Sequence, residues 1–206
     1  MRPLTDDTPK PLLELHGKAL IEYHLEALAG SGVESVVINI SWLGERIRQH
    51  LGNGARYGLE IRYSEEPEAL ETAGGIVKAM PMLEDRFIVV NADVFTDFDF
   101  RLLSDIDSDA HLVLVPNPEQ HPLGDFALQG NRLRNEGEVK FTFSGIAKYR
   151  KTFFDGINPG RQALAPLLRE AANQDRVSTN LFCGEWYDIG TVERLQQLRR
   201  KPLNPD

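Results

Sequence analysis

A single cysteine, Cys183, among 206 residues excludes an internal disulfide and any zinc site built from several thiolates. No apolar run approaches the roughly 18 residues that a membrane-crossing helix needs. The amino terminus carries Pro3, Asp6 and Asp7, unlike a signal or transit peptide, so a cytoplasmic protein without a membrane partner is expected. Basic excess is also lacking. A net charge of -8 argues against nucleic acid, which demands a cationic face. It does not argue against small anions, because a few cations and a metal in a cleft can dominate the local field. The five histidines, His16, His24, His50, His111 and His121, show no metal-ligand spacing, so surface or hydrogen-bonded core positions are expected for all. Cys183 falls in an expected strand and reads as a small buried hydrophobe. Repeats, linkers and low-complexity stretches are absent too, and the length suits one domain spanning residues 1–206.

One more thing is missing, at the front. MRPLTDDTPKP reads as the exit from a loop, with no strand before it. Pro3, Pro9 and Pro11 each remove a backbone donor and bias the preceding residue toward extended geometry, so no regular helix is expected before about Gly17. A helix follows at once, with Ile21, Leu25 and Leu28 on one face and the Gly30-Ser31-Gly32 cluster as its stop. In an alternating strand–helix protein the first helix crosses over from an earlier strand. There is no room for one here, so a first strand is expected to be absent.

What is present reads as α/β. Val33–Ile40 is a β-branched strand, Leu43–Leu51 a short helix, LEIRYSEE a second strand, and ETAGGIVKAM a glycine-rich start that turns helical. RFIVV, Arg86 to Val90, is a continuous apolar run of the kind a buried parallel strand shows. It ends at Asn91-Ala92-Asp93, which places Asp93 at the carboxyl edge of the sheet, where ligands of open α/β proteins sit. His111–Val115 is another strand. FALQGNRLRNEGEVKFTFSGIAKYR alternates and turns at Gly130-Asn131, so antiparallel strands are added to a mostly parallel, Rossmann-like sheet flanked by helices. Helices are expected around Thr152–Gly156 and Leu164–Gln174, then the strand WYDI and a closing helix, Val192–Arg200.

Several groups can carry chemistry. Asp93 and Asp188 each follow an apolar strand. Two carboxylates at neighbouring strand ends can hold a magnesium ion that keeps its other positions for water and phosphate oxygens. Alternatively, Asp93 caps the next segment and Asp188 the final helix. Lys10, between prolines in TPKPL, is either a stiffly presented phosphate ligand or an exposed loop lysine. Glu71-Thr72-Ala73-Gly74-Gly75 offers a backbone free of bulky side chains, suited either to a nucleotide or to a tight turn. Asp97-Phe98-Asp99 is similar to the acidic triplet of glycosyltransferases that use nucleotide sugars, but capping of the next short helix is the expected role.

The ordered set RPLTDDTPKPL, LETAGGI, VVNADVF, FTFSGI and EWYDIGTVERL resembles the sugar-1-phosphate nucleotidyltransferases over essentially the whole chain. KALIEYHL, NADVFTDFDF, HLVLVPNP, GDFAL and LAPLLREA extend the likeness to the uridylyl-transferring branch that serves bacterial peptidoglycan recycling. The resemblance implies a fold of the nucleotide-diphospho-sugar transferase type, with UTP and a sugar 1-phosphate, by best match N-acetylmuramate 1-phosphate, as partners. It implies that Lys10 contacts substrate phosphate and that Asp93 and Asp188 bind Mg2+. Glu71, Thr72 and Gly74 fall in the segment that reads the base. Ser144 and Gly145 fall where the sugar is held, with Asp125 nearby. It also implies a preceding strand and a GxGxR loop, whose arginine aligns just before Met1, so this chain is expected to be weakly active or inactive. Two other readings remain: a glycosyltransferase acting through Asp97 and Asp99, and a non-catalytic nucleotide-sugar sensor.

Overall fold

The computed structural model describes residues 1–202. A four-residue helical turn α1 (Leu4–Asp7) opens the chain, and a 3-10 turn follows at Lys10–Leu12. The helical turn corrects the expectation of no helix before Gly17. Pro3 stands at its N-cap, where a missing N–H costs nothing, and Asp6 and Asp7 sit in its first turn. Two short strands, β1 (Glu14–Leu15) and β2 (Lys18–Ala19), form a hairpin that leads into α2 (Leu20–Gly30). Leu20, Ile21, Leu25 and Leu28 make the buried stripe of α2. Glu22 accepts from the Ala19 amide at 2.8 Å, satisfying one of the helix's orphan donors.

β3 (Ser35–Ile40), α3 (Gly44–Leu51) and β4 (Glu60–Glu65) form a strand–helix–strand unit, its two strands paired in parallel. Then come α4 (Glu71–Ala79), β5 (Arg86–Val90), β6 (Val94–Thr96) and β7 (Ala110–Val115). A hairpin of β8 (Phe126–Gln129) and β9 (Arg132–Arg134) turns at Gly130-Asn131, as its composition predicts. The long β10 (Lys140–Arg150), α5 (Leu164–Asn173), β11 (Val177–Leu181), β12 (Trp186–Asp188) and α6 (Val192–Arg200) complete the chain. The expected helix near Thr152–Gly156 is a 3-10 turn, Lys151–Phe154.

The main sheet runs β5-β10-β7-β11-β9-β8. All of β7 is buried, and its alternation divides the core. Leu112 and Leu114 pack beneath α4 and α5 with Ala73, Ile76 and Leu168, whereas Val113 joins Leu28, Phe98 and Leu103 on the other face. Burying one such side chain stabilises the fold by about 1.5–3 kcal/mol.

The α/β class holds, but RFIVV is not a strand enclosed by parallel neighbours. β10 inserts antiparallel between β5 and β7, so β5 and β7 run the same way without touching, and the parallel ladder expected at β5 is instead made by β7 with β11. Among the described residues the other edge of β5 has no ladder partner, and neither has the edge of β3 away from β4. Between them lies a groove of about 560 Å³ lined by Val36, Val37, Phe87 and Ile88. Cys183 is another correction: it is exposed, in the loop after β11, because the strand ends at Leu181 and the chain bends at Gly184.

Candidate active site

β6 and β12 build the centre of the site. They pair antiparallel with Asp188 opposite Val94, and the Ile189 amide donates to the Asp93 carbonyl at 2.8 Å. Two carboxylates far apart in sequence thereby stand on neighbouring strand ends. Neither is a helix cap: α6 is capped by Thr191, whose Oγ1 accepts from the Arg194 amide at 3.2 Å. Instead each holds a cation. Lys10 Nζ lies 2.5 Å from Asp93 Oδ2, and an Arg194 terminal nitrogen lies 2.5 Å from Asp188 Oδ2. The 3-10 turn fixes Lys10 through the bonds Leu12 N to Pro9 O and Leu13 N to Lys10 O.

His24 supports this centre from α2. Its Nε2 lies 2.7 Å from the Val94 carbonyl. Burial holds the ring below its ordinary pKa, so it is neutral and donates from Nε2, pinning the strand next to Asp93.

Asp93 and Asp188 line a cavity of about 290 Å³ with Asn91, His121, Thr142 and Trp186. No cluster of three potential metal ligands occurs among the described residues. Two adjacent hard carboxylates with open space before them nevertheless fit a divalent cation that takes its remaining oxygens from water and substrate. That both already draw in protein cations shows the same local demand for positive charge.

A second cavity of about 410 Å³ adjoins the first through Asn91 and Phe143. Glu71, Thr72, Asp125 and Gly145 line it. Glu71 is paired with Arg161 at 2.7 Å. Asp125 accepts from the Phe143 amide at 2.8 Å and faces His121 Nε2 at 3.1 Å. Gly145 sits in the β-bulge of β10 between Phe143 and Ala147 with φ +80°, where an added Cβ would come within 2.6 Å of Asn91 Nδ2. A backbone that turns this way, with so close a neighbour, requires glycine.

Two of the expected residues are held in structural bonds. The Ser144 hydroxyl is turned into the core, donating to Val113 O at 2.7 Å and accepting from Ile146 N at 3.1 Å, so it repairs the ladder broken by the bulge. Gly74 is buried, its amide bonded to Gln162 O, and a Cβ there would reach Gly160 O at 2.1 Å. Its role on this geometry is to let the 160–162 loop close over α4. The acidic triplet is occupied locally. Asp99 caps the following turn and holds Arg101, which keeps its carboxyl below the ordinary range. Asp97 accepts from the Glu185 amide at 2.7 Å. Asn91, Arg194, Tyr149 and Arg169 were not singled out from the sequence. Asn91, two residues before Asp93 in NADVF, Arg194 in EWYDIGTVERL and Arg169 in LAPLLREA lie in stretches that carry the likeness, but nothing in those stretches marks these residues.

Residues 1–126 match the nucleotidyl transferase family model, and the chain belongs to that family. It is 49% identical to the N-acetylmuramate alpha-1-phosphate uridylyltransferase of Neisseria meningitidis, covering 96% of this chain and 90% of the relative. The enzyme of the same name from Caulobacter vibrioides is 30% identical, over 92% of this chain and 86% of the relative. Among solved structures, a Bacillus anthracis protein in complex with sucrose superposes with a TM-score of 0.85 at 18% identity, covering 100% of this chain and 92% of its own. HddC from Yersinia pseudotuberculosis complexed with GMP-PN gives 0.74 at 20% identity, with 97% and 92% covered. These likenesses show the nucleotidyltransferase fold. Among the described residues no helix is long and apolar enough to cross a membrane.

Proposed function

We propose that this chain transfers a uridylyl group from UTP to N-acetylmuramate 1-phosphate, giving UDP-N-acetylmuramate and pyrophosphate, in peptidoglycan recycling in the cytoplasm. The observation that carries this reading is that Asp93, ion-paired with Lys10, stands beside Asp188 at one cavity that adjoins a second, larger one. The identity of 49% to an enzyme of that name supports the choice of substrates.

A phosphate oxygen of the sugar phosphate attacks the α-phosphorus of UTP in line, and pyrophosphate leaves. With a second pKa near about 6, a phosphate monoester is largely dianionic at neutral pH, so no general base is needed. The chain's work is to hold two repelling anions in line and to neutralise charge as it shifts toward the leaving group. Asp93 and Asp188 would hold Mg2+, which supplies charge neutralisation between the phosphates when bound. Lys10 is the side chain placed to move from Asp93 onto a phosphate oxygen. Arg194 orients the Asp188 carboxylate, and His24 fixes the strand beneath Asp93.

Magnesium-dependent pyrophosphate release from UTP and N-acetylmuramate 1-phosphate tests the reading. We expect release that requires both substrates and the metal ion; silence with all three present would overturn the reading.

A further inference from the structure

The larger cavity holds more than the sugar-binding stretch requires. One wall is Phe126 on β8 and the first turns of α5, and Arg169 of α5 stands over Phe126 with its guanidinium carbon 5.2 Å from the ring centroid. The other charged groups of the cavity are occupied. Glu71 is bound by Arg161, and Asp125 by the Phe143 amide and His121. Arg169 has no ion pair among the described residues, so it brings a charge and a fork of donors to the rim, all unused. Tyr149 of β10 also lines the cavity, and among the described residues its hydroxyl is buried without any hydrogen-bond partner. Val89, Phe143, Leu164 and Leu168 supply apolar surface between them.

This combination suits a sugar that carries an anion on a short apolar arm. N-acetylmuramate differs from N-acetylglucosamine by a lactyl ether, a methyl-bearing carbon that ends in a carboxylate. A planar guanidinium pre-set on an aromatic face is the side chain that recognises a carboxylate with two parallel hydrogen bonds. Neutral sugar 1-phosphates offer it no carboxylate and gain nothing from it.

We propose that Arg169, held on Phe126, is the specificity-determining residue that reads the lactyl carboxylate and selects an anionic sugar 1-phosphate over its neutral counterpart. The inference rests on the proposed uridylyl transfer only for the identity of the sugar, and its test does not need turnover.

The test is calorimetric titration of the full chain with N-acetylmuramate 1-phosphate and, separately, with N-acetylglucosamine 1-phosphate. The wild type is expected to prefer the former. In Arg169→Met, which keeps the length of the stem, the ratio of the two affinities should fall by about tenfold or more, the loss of a charge-assisted pair. Arg169→Lys should retain part of the preference. Phe126→Leu, which leaves the guanidinium without its platform, should lose less than Arg169→Met. Arg169 is exposed, so thermal melts of its variants should match the wild type. Equal weakening of both sugars would mean that Arg169 only packs on the wall, and that result overturns the proposal, as would a wild type that shows no preference or binds neither sugar. Pyrophosphate release separates the two ideas. Lactyl-selective binding without release would sink the proposed reaction and leave the reader intact, whereas release from N-acetylmuramate 1-phosphate that is indifferent to Arg169 would do the reverse.

Discussion

The ion pair of Lys10 with Asp93 is partly exposed on both sides, so its Coulomb energy is screened and its contribution to folding is within about 1 kcal/mol. In the proposed reaction its value lies in placing a cation and a carboxylate where phosphates would meet. Lys10→Met and Asp93→Asn are therefore expected to unfold near the wild-type temperature while losing about 100- to 1000-fold in rate, as removal of one group at a developing charge typically does. Pyrophosphate release from the most active form of the protein, set beside a thermal melt, checks both halves. Gly145 behaves in the opposite sense. A methyl group there meets both an unfavourable φ and the Asn91 amide, so Gly145→Ala should cost about 1–3 kcal/mol of stability. Urea titration reads that loss directly.

Among the elements, α6 positions a metal-site candidate through its first turn. Thr191 caps it and Arg194, three residues on, reaches back to Asp188. Thr191→Ala should weaken the helix by about 1 kcal/mol, measurable by urea titration. The pairing of β7 with β11 carries a pH dependence. His111 lies between Ser178 and Asn180, 2.8 Å and 2.7 Å from its two ring nitrogens, and burial holds its pKa below the ordinary 6.5. On acidification the unfolded chain takes up this proton first. The stability contributed by neutral His111 is therefore complete above about 6.5 and is lost as pH falls toward the depressed folded value. His111→Gln should flatten the fall of melting temperature over that range, and an unchanged slope would show that other groups govern it.

At the scale of the molecule, the groove between β3 and β5 dominates. Each strand presents an unpaired edge to it, and Val36, Val37 and Ile88 on its walls are only partly buried, whereas β7, paired on both sides, is wholly enclosed. Unpaired edges of this kind invite pairing with other chains. Hydrogen exchange should find the groove-facing amides of β3 and β5 fast and those of β7 slow, together with low solubility. A sharply cooperative melt with uniform protection would contradict this.

The hydrophobic period and the punctuating glycines and prolines located most of the longer helices and strands, though not α1, β1, β2 or β6, because those signals are local: the stripe of α2, the Gly130-Asn131 turn and the run of RFIVV each depend on a few neighbouring residues. The likeness of the ordered motifs singled out Lys10, Asp93 and Asp188 for the same reason, each lying in a short stretch with its own signature. Pairing was not legible. Nothing local says that β10 inserts between β5 and β7, since a ladder is chosen by two segments far apart in sequence that compete for one edge. Nor could local sequence show that Ser144 mends a bulge, that Cys183 lies outside its strand, or that Arg169, one of two charged residues on α5, stands beside the cavity. Those facts depend on which face of a helix and which register of a strand meet in space, and only the packed chain decides that.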